Sequence, residues 1–327
     1  MENEIQKGSW KKIFASREII LILVLLIGGI IVSIITPVFA TSTNILAMIM
    51  SITVNGLIAV GMVMLLAAGE MDLSVGMTMA YVGVVAAYLN AHGLSTALSV
   101  IIGLLVALLI GFINGYLVAK VKLNAFITTL GMNCALEGLM LVMANGRSVT
   151  GITNLFKKLG QGTLFGIQYP VYILFIIVIV FDLLLRNTRR FREIYFIGSN
   201  ASAARLNGIN VSRVKICLFC FCSLCAGLAG VLITARFGTA SVTLGSSTAM
   251  DVITACIIGG ASLNGGKGTV WGAVLGSLFL AMLSTALNLL SVNIYWQNFA
   301  TGVILIAAIL MDAISERRKG VGEVISL

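Results

Sequence analysis

From Ile19 to Ile35 the chain reads IILILVLLIGGIIVSII, apolar on every face and uncharged, and runs of this kind recur along almost its whole length. They are about 17 to 25 residues long, the length a helix rising 1.5 Å per residue needs to cross ~30 Å of hydrocarbon. Runs and breakers together predict ten spans: Ile19 to Ala40, Ile45 to Ala68, Leu73 to Leu89, Thr96 to Ala119, Ala125 to Ala144, Tyr169 to Leu185, Val214 to Thr234, Ala249 to Ala261, Val270 to Leu290 and Trp296 to Ile314. The third and eighth are the weakest. A membrane β-barrel would alternate apolar and polar residues over segments of roughly ten, which these runs exclude. The expected fold is all-α, a polytopic transmembrane bundle forming one domain over residues 1–327.

Composition removes the soluble alternative. The chain is 59% hydrophobic and 10% charged, where a soluble domain carries about 25% charged residues. The longest hydrophilic stretch, Arg186 to Ser212, falls short of the ~40 residues at which a lone domain struggles to hold a core. No soluble catalytic domain fits, so any ATP must be handled by another polypeptide. The nearest approach to a phosphate loop, Gly260 to Thr269, has Ala261 and Gly268 where the pattern needs Gly and Ser or Thr, and reads as a tight turn between spans.

Charge then orients the bundle. With the N-terminus inside, ten spans place every Lys and Arg on the cytoplasmic side except Arg147, Lys157, Lys158 and Arg236, the bias that positive-inside topology produces. Cytoplasmic segments are then 1–18, the loop 186–212 and the tail 315–327, with 145–168 an external loop. Lys7, Lys11, Lys12 and Arg17 precede the first run as in a signal peptide, but that run is too long and lacks a small-residue cleavage site. Topology accounts for the net charge of +9 without a nucleic-acid partner. Trp10, Tyr169, Tyr295 and Trp296 fall at span ends, where amphipathic rings favour the headgroup region.

Ionisable and polar groups at membrane depth are functional candidates. Glu70, Asp72 and Ser74 lie in GEMDLSVG, 69 to 76, where Asp72 or Ser74 can cap the following helix. This segment is either a short cytoplasmic turn or a broken helix that lines or gates a path. Thr129, Asn133 and Glu137, four apart, form one helix face suited to a hydroxyl-rich solute; interhelical hydrogen bonding is the alternative. Asp251 and Asn288 are weaker candidates. Cys217, Cys220, Cys222 and Cys225 lie in one apolar run and cannot converge on a metal, and Cys134 and Cys256 are also in apolar segments. No metal site and no disulfide is expected. The one histidine, His92, lies outside the spans, leaving no imidazole for a buried serine nucleophile, so the chain is not read as an enzyme.

Within Gly198 to Lys215, Ser199 or Asn200 can cap a short helix over Ala201 to Leu206, Gly208 suits the left-handed residue that ends it, and Asn210 or Ser212 can cap the next span. A surface anchor would carry Leu, Phe or Trp along one side. This helix is mostly alanine, with Arg205 for orientation, and reads as a docking element for another protein.

Three motifs together, GEMDLSVG, IGSNASAARLNGINVSRVK (197 to 215) and IIGGASLNGGKGTVWGAVLGSLFLAMLSTALNLL (257 to 290) followed by YWQNFATGVILIAAILMD (295 to 312), resemble the integral membrane permease of bacterial ribose, xylose, arabinose and galactoside ABC importers. Met71 and Asn207 stand where Ile and Ser are common. The resemblance implies a bacterial inner-membrane subunit paired with a second copy or a paralogue, a cytoplasmic ATPase that binds ATP and Mg, and an extracytoplasmic sugar-binding protein facing the loop with Arg147, Lys157 and Lys158. It implies that Ala203, Ala204, Arg205, Leu206 and Gly208 form the helix that seats in the ATPase. No cofactor is expected in this chain, and membrane lipid surrounds it. Pentoses or hexoses are the implied cargo, with sugar-like autoinducers and nucleosides as alternatives. An ion-driven transporter is the competing class: Gly69, Leu73 and Gly76 echo Gly259, Leu263 and Gly266 at an offset of 190, and such transporters carry internal repeats with broken helices.

Overall fold

The computed structural model describes the backbone of residues 17–325 and the side chains of residues 18–314. Lys7, Trp10, Lys11 and Lys12 and the side chains of Arg17, Arg317, Arg318 and Lys319 lie outside the described residues. In chain order the elements are α1 (Arg17–Ile35), a 3-10 turn (Pro37–Ala40), α2 (Ser42–Ala67), α3 (Val75–Ala91), α4 (Thr96–Ala119), α5 (Ala125–Ala144), α6 (Asn154–Gln161), β1 (Thr163–Leu164), β2 (Ile167–Gln168), α7 (Tyr169–Asn187), α8 (Arg189–Ser199), α9 (Ala201–Leu206), α10 (Val211–Phe237), α11 (Thr248–Ile258), α12 (Val270–Leu289) and α13 (Ile294–Ile325).

Eight of these helices, α1, α2, α4, α5, α7, α10, α12 and α13, are long and apolar enough to cross a membrane. The third and eighth expected spans are the two short apolar helices α3 and α11. With 11 residues, α11 is about 16 Å long, half the hydrocarbon thickness. The first expected span also ends early. Pro37 has no N–H and pushes Thr36 into an extended conformation (φ −131°, ψ 97°), so α1 stops at Ile35. At the other end α13 continues as one helix to Ile325, through the region expected to be a tail. The loop 145–168 is itself ordered: Phe156 of α6 is fully buried, and β1 and β2 form an antiparallel hairpin turned by Phe165 and Gly166, both at positive φ.

Helices α2 and α10 occupy the centre. Helix α10 packs against α2, α3 and α4 through small residues: Gly61 on Cys222, Gly111 on Cys220, Gly115 on Ile216 and Gly230 on Met79. Lipid tails give no hydrophobic drive for helices to associate, so close backbone approach must supply the attraction. Helices α1, α5 and α13 are peripheral, with Ile34, Ile127 and Met311 largely exposed, where lipid or another subunit can cover them.

Contacts sort the connections onto two ends. At the α9 end, Gly266 N–H donates to Ala67 O (2.8 Å), Tyr195 O–H to Gly268 O (2.8 Å), Thr269 O–H to Glu18 (2.7 Å) and Ser262 O–H to Asp312 (2.9 Å). At the α6 end, Thr153 N–H donates to Asn90 Oδ1 (2.8 Å), Gln161 Nε2 to Arg236 O (2.9 Å), and Val149 bridges Ala240. Glu18 near the start of α1 and Asp312 in α13 are therefore on the same end, as ten alternating elements require.

Candidate functional site

The segment 68–74 is where the backbone leaves helical geometry inside the bundle. Helix α2 closes on left-handed Gly69 (φ 76°), with Gly69 N–H on Leu66 O (2.8 Å) and Glu70 N–H on Leu65 O (3.0 Å), the reciprocal pair that ends a helix sharply. The chain then folds back inward. Asp72 Oδ1 accepts from Ser74 N–H (2.8 Å) and Ser74 O–H (2.6 Å), while Asn114 Nδ2 donates to Ser74 Oγ (2.9 Å) and Asp72 Oδ2 (3.5 Å). Leu73 N–H donates to Thr129 Oγ1 (3.0 Å). Asp72, Ser74, Asn114 and Thr129 are all fully buried. Asn114 stands five residues before the end of α4, which sets the cluster about 7 Å inside the helix end. After exposed Gly69 the segment turns back into the bundle, so that Asp72, Leu73 and Ser74 are buried ahead of α3. Ser74 occupies the N-cap position of α3 but makes no capping bond; its hydroxyl oxygen accepts from Asn114 Nδ2 instead.

Helix α3 runs from this cluster to the α6 end. After Phe237 the chain returns to the same depth, and α11 starts there and runs to the α9 end. The two starts meet: a Cβ on Gly76 would overlap the Gly245 carbonyl, and one on Gly245 the Gly76 carbonyl. Only glycine permits that approach. The pair related by opposite direction is thus α2–α3 and α10–α11. The 190-residue echo of Gly69, Leu73 and Gly76 instead matches two connections on the same end, and marks no inverted repeat.

The remaining candidates separate. Thr129 faces inward, Asn133 is half-buried and Glu137 exposed, because four-residue steps drift around a 3.6-residue helix; the three do not form one lining. Asp251, half-buried in the first turn of α11, accepts from Ser247 O–H (3.3 Å). Asn288 accepts from Gln297 Nε2 (2.8 Å) near the α6 end, and so pins α12 to α13. Asn114 and Gln297 were missed from sequence, since a single amide in an apolar helix carries no sign of its distant partner. Of the cysteines, Cys222, Cys225 and Cys256 are buried packing residues, and Cys134 and Cys217 exposed thiols. Among the described residues no group of His, Cys, Asp and Glu could hold a metal.

At the α9 end, Asn200 rather than Ser199 caps α9, accepting from Ser202 and Ala203 N–H (3.0 and 2.9 Å). Gly208 (φ 81°) ends it, with Gly208 N–H on Arg205 O and Ile209 N–H on Ala204 O. Asn210 then caps α10 through Arg213 N–H (3.0 Å). Ala204 is the buried foot of α9, while Ala203, Arg205, Leu206 and Gly208 face outward, Leu206 at 90% exposure. A cleft of about 730 Å³ separates α9 from α8, lined by Arg189, Arg192, Phe196 and Asn207. Burial, with Asp182 nearby, pushes the Tyr195 phenol up, keeping it a neutral donor to Gly268. Beside α9, Lys215 forms an ion pair with Glu70.

A bundle with eight helices able to span a membrane, two short apolar helices whose starts meet inside it and a short capped helix at one end is a polytopic helical membrane protein. The chain belongs to the family of permease components of branched-chain amino acid transport systems, whose pattern matches residues 43–309. It is 37% identical to the ribose import permease protein RbsC of Haemophilus influenzae over 95% of this chain and 97% of that one. It is 38% identical to RbsC of Escherichia coli (90% and 92%), and 36% identical to the L-arabinose ABC transporter permease protein AraH of Azospirillum brasilense (93% and 89%). No solved structure matches. The protein is a transport component of the inner membrane, not an enzyme.

Proposed function

We propose that the chain is the membrane subunit of an ABC importer that moves a monosaccharide of the ribose or arabinose class. A separate ATPase, holding ATP and Mg, drives it, and an extracytoplasmic binding protein delivers the sugar. The observation that carries this reading is α9: six residues, capped at both ends, seated on Ala204 and presenting Leu206 and Arg205 outward beside an open cleft. Small residues around Arg205 let a partner surface approach this helix closely, and Leu206 stands out from it at 90% exposure. Among the described residues, most of the basic side chains lie at the α9 end, which fits the cytoplasmic side. Closure of the ATPase pair would push α9 and rock the bundle. The face of α5 with Gly131 and Gly138, seven residues apart and open at both positions, awaits a second copy or a paralogue. Relatives named for ribose and arabinose import support the sugar assignment.

The test is purification of the tagged chain from its own membranes in mild detergent, with uptake of labelled ribose and arabinose by the same cells. An ATPase in stoichiometric amount and sugar uptake that ceases on ATP depletion are expected. Uptake that instead collapses with an ion gradient overturns the ATP-driven reading, and nucleoside uptake without sugar uptake overturns the substrate. Arg205→Glu and Gly208→Pro should each abolish uptake while the chain stays in the membrane.

A further inference from the structure

Glu70 and Lys215 are 145 positions apart, and their side chains are only 14% and 18% exposed. The other ion pair among the described residues, Asp182–Arg186, joins neighbouring turns of one helix. Glu70 and Lys215 lie in a polar cleft of about 310 Å³ also lined by Lys122, Arg205 and Ser212. We propose that the Glu70–Lys215 pair is the positioning contact that transmits movement of the docking helix α9 to the broken-helix segment 68–74; this rests on the ATPase-docking role of α9 given above.

Each partner is fixed to one of the two parts. On one side, α9 runs into α10 through a short, fully bonded connection, with Gly208 and Ile209 N–H closing α9, Val211 N–H on Ile209 O and Asn210 capping α10. Lys215 is one turn into α10. On the other side, Glu70 is bonded through its N–H to the end of α2, two residues before Asp72. Asp72 is fully buried and bonded to Ser74 and Asn114, and Lys215 pairs with Glu70 instead. Ser212 O–H bonds to Ala119 O (3.1 Å), so that contact reaches α4 and not the segment 68–74. Gly198 approaches Gly69 only through backbone packing. Alongside the packing of α10 on α2 and α3, a shift of α9 reaches Glu70 through this largely buried charge pair, passes along 70–74 to the start of α3, and ends at the Gly76–Gly245 junction with α11. A pair fully exposed to water would be worth little; the side chains of this one are largely buried.

The alternative role for Lys215 is as one more cytoplasmic cation that sets topology, in which case the acid at position 70 is dispensable. Glu70→Gln, Lys215→Met and the exchange Glu70→Lys with Lys215→Glu separate the two. In the detergent-solubilised chain alone, amide exchange at Leu73 and Ser74 should rise about tenfold in each single variant and return in the exchange variant. In cells, labelled ribose uptake per ATP hydrolysed should fall about tenfold in the singles and recover in the exchange, with the ATPase co-purifying at the wild-type amount throughout. Unchanged amide exchange in the singles, or an exchange variant as impaired as the singles in both measurements, overturns the inference. A wild-type chain that brings no ATPase through purification overturns the docking role instead, and leaves the amide-exchange result to decide whether the pair holds the segment.

Discussion

Thr129 shows how much of the site depends on single polar atoms. Its hydroxyl accepts from Leu73 N–H and donates to Ala125 O (2.8 Å), so one side chain ties the segment 68–74 to α5. Thr129→Val keeps the volume and removes the acceptor, leaving a buried N–H unpaired at a cost of about 1–3 kcal/mol. Thermal unfolding in detergent should show that loss for Val and little change for Ser; equal midpoints for Val and wild type would mean the segment is held elsewhere. Asp72→Ala, which strands the donors of Ser74 and Asn114 together, should cost more than Thr129→Val in the same measurement. At this scale the sequence was legible where a rule is local. Asp72 and Ser74 stood out because charge and hydroxyl sat between two apolar runs. Asn114 did not, because its partners are 42 and 40 residues away, and nothing in its helix distinguishes a site residue from interhelical glue. Lys215 was legible only as a cation obeying topology; its pairing with Glu70 exists only after α2 and α10 pack.

Elements were read best where a cap or a breaker fixed them. Gly208 was expected to close α9 and does, and the ends of α4 and α5 fall where the apolar runs stop. The boundary at Ile35 was missed because apolarity continues past it, and only Pro37 and the strain it places on Thr36 break the helix. The two short helices were expected, as the third and eighth spans, but as full crossings, for a related reason: apolar composition reports that a segment is shielded from water, and α3 and α11 are shielded by protein while starting inside the bundle. Their contact is sensitive to volume. Gly76→Ala and Gly245→Ala should each destabilise the bundle by about 1–3 kcal/mol, as overpacking of a close contact does, and should slow uptake because the junction sits at the head of both helices. A Gly76→Ala chain with wild-type unfolding and uptake would contradict the tight approach.

Taken whole, the molecule is asymmetric in what it covers. The centre around α2 and α10 is complete in one copy, whereas α5 leaves Gly131 and Gly138 open, with nothing within 4 Å of where a Cβ would stand, and Glu137 exposed between apolar neighbours. Gly138→Leu should leave the unfolding midpoint of a single copy unchanged, since it touches nothing there. If a second subunit closes on this face, the same substitution should convert pairs to single copies in native mass spectrometry; intact pairs would place the contact elsewhere.

The shortness of α11 also governs how the chain is made. A helix of about 16 Å cannot hold itself across a bilayer as it leaves the ribosome, and the stretch from Gly238 to Thr269 contains no other apolar helix. It must wait at the insertion machinery until α12 follows, then settle against α10 and α12 after both are in lipid. A released chain truncated at Asn264 should accordingly leave its end on the side where α10 finished, and one truncated beyond Leu289 should carry the connection 259–269 to the opposite side, so the geometry of the broken helices is acquired within the membrane and not at its threshold.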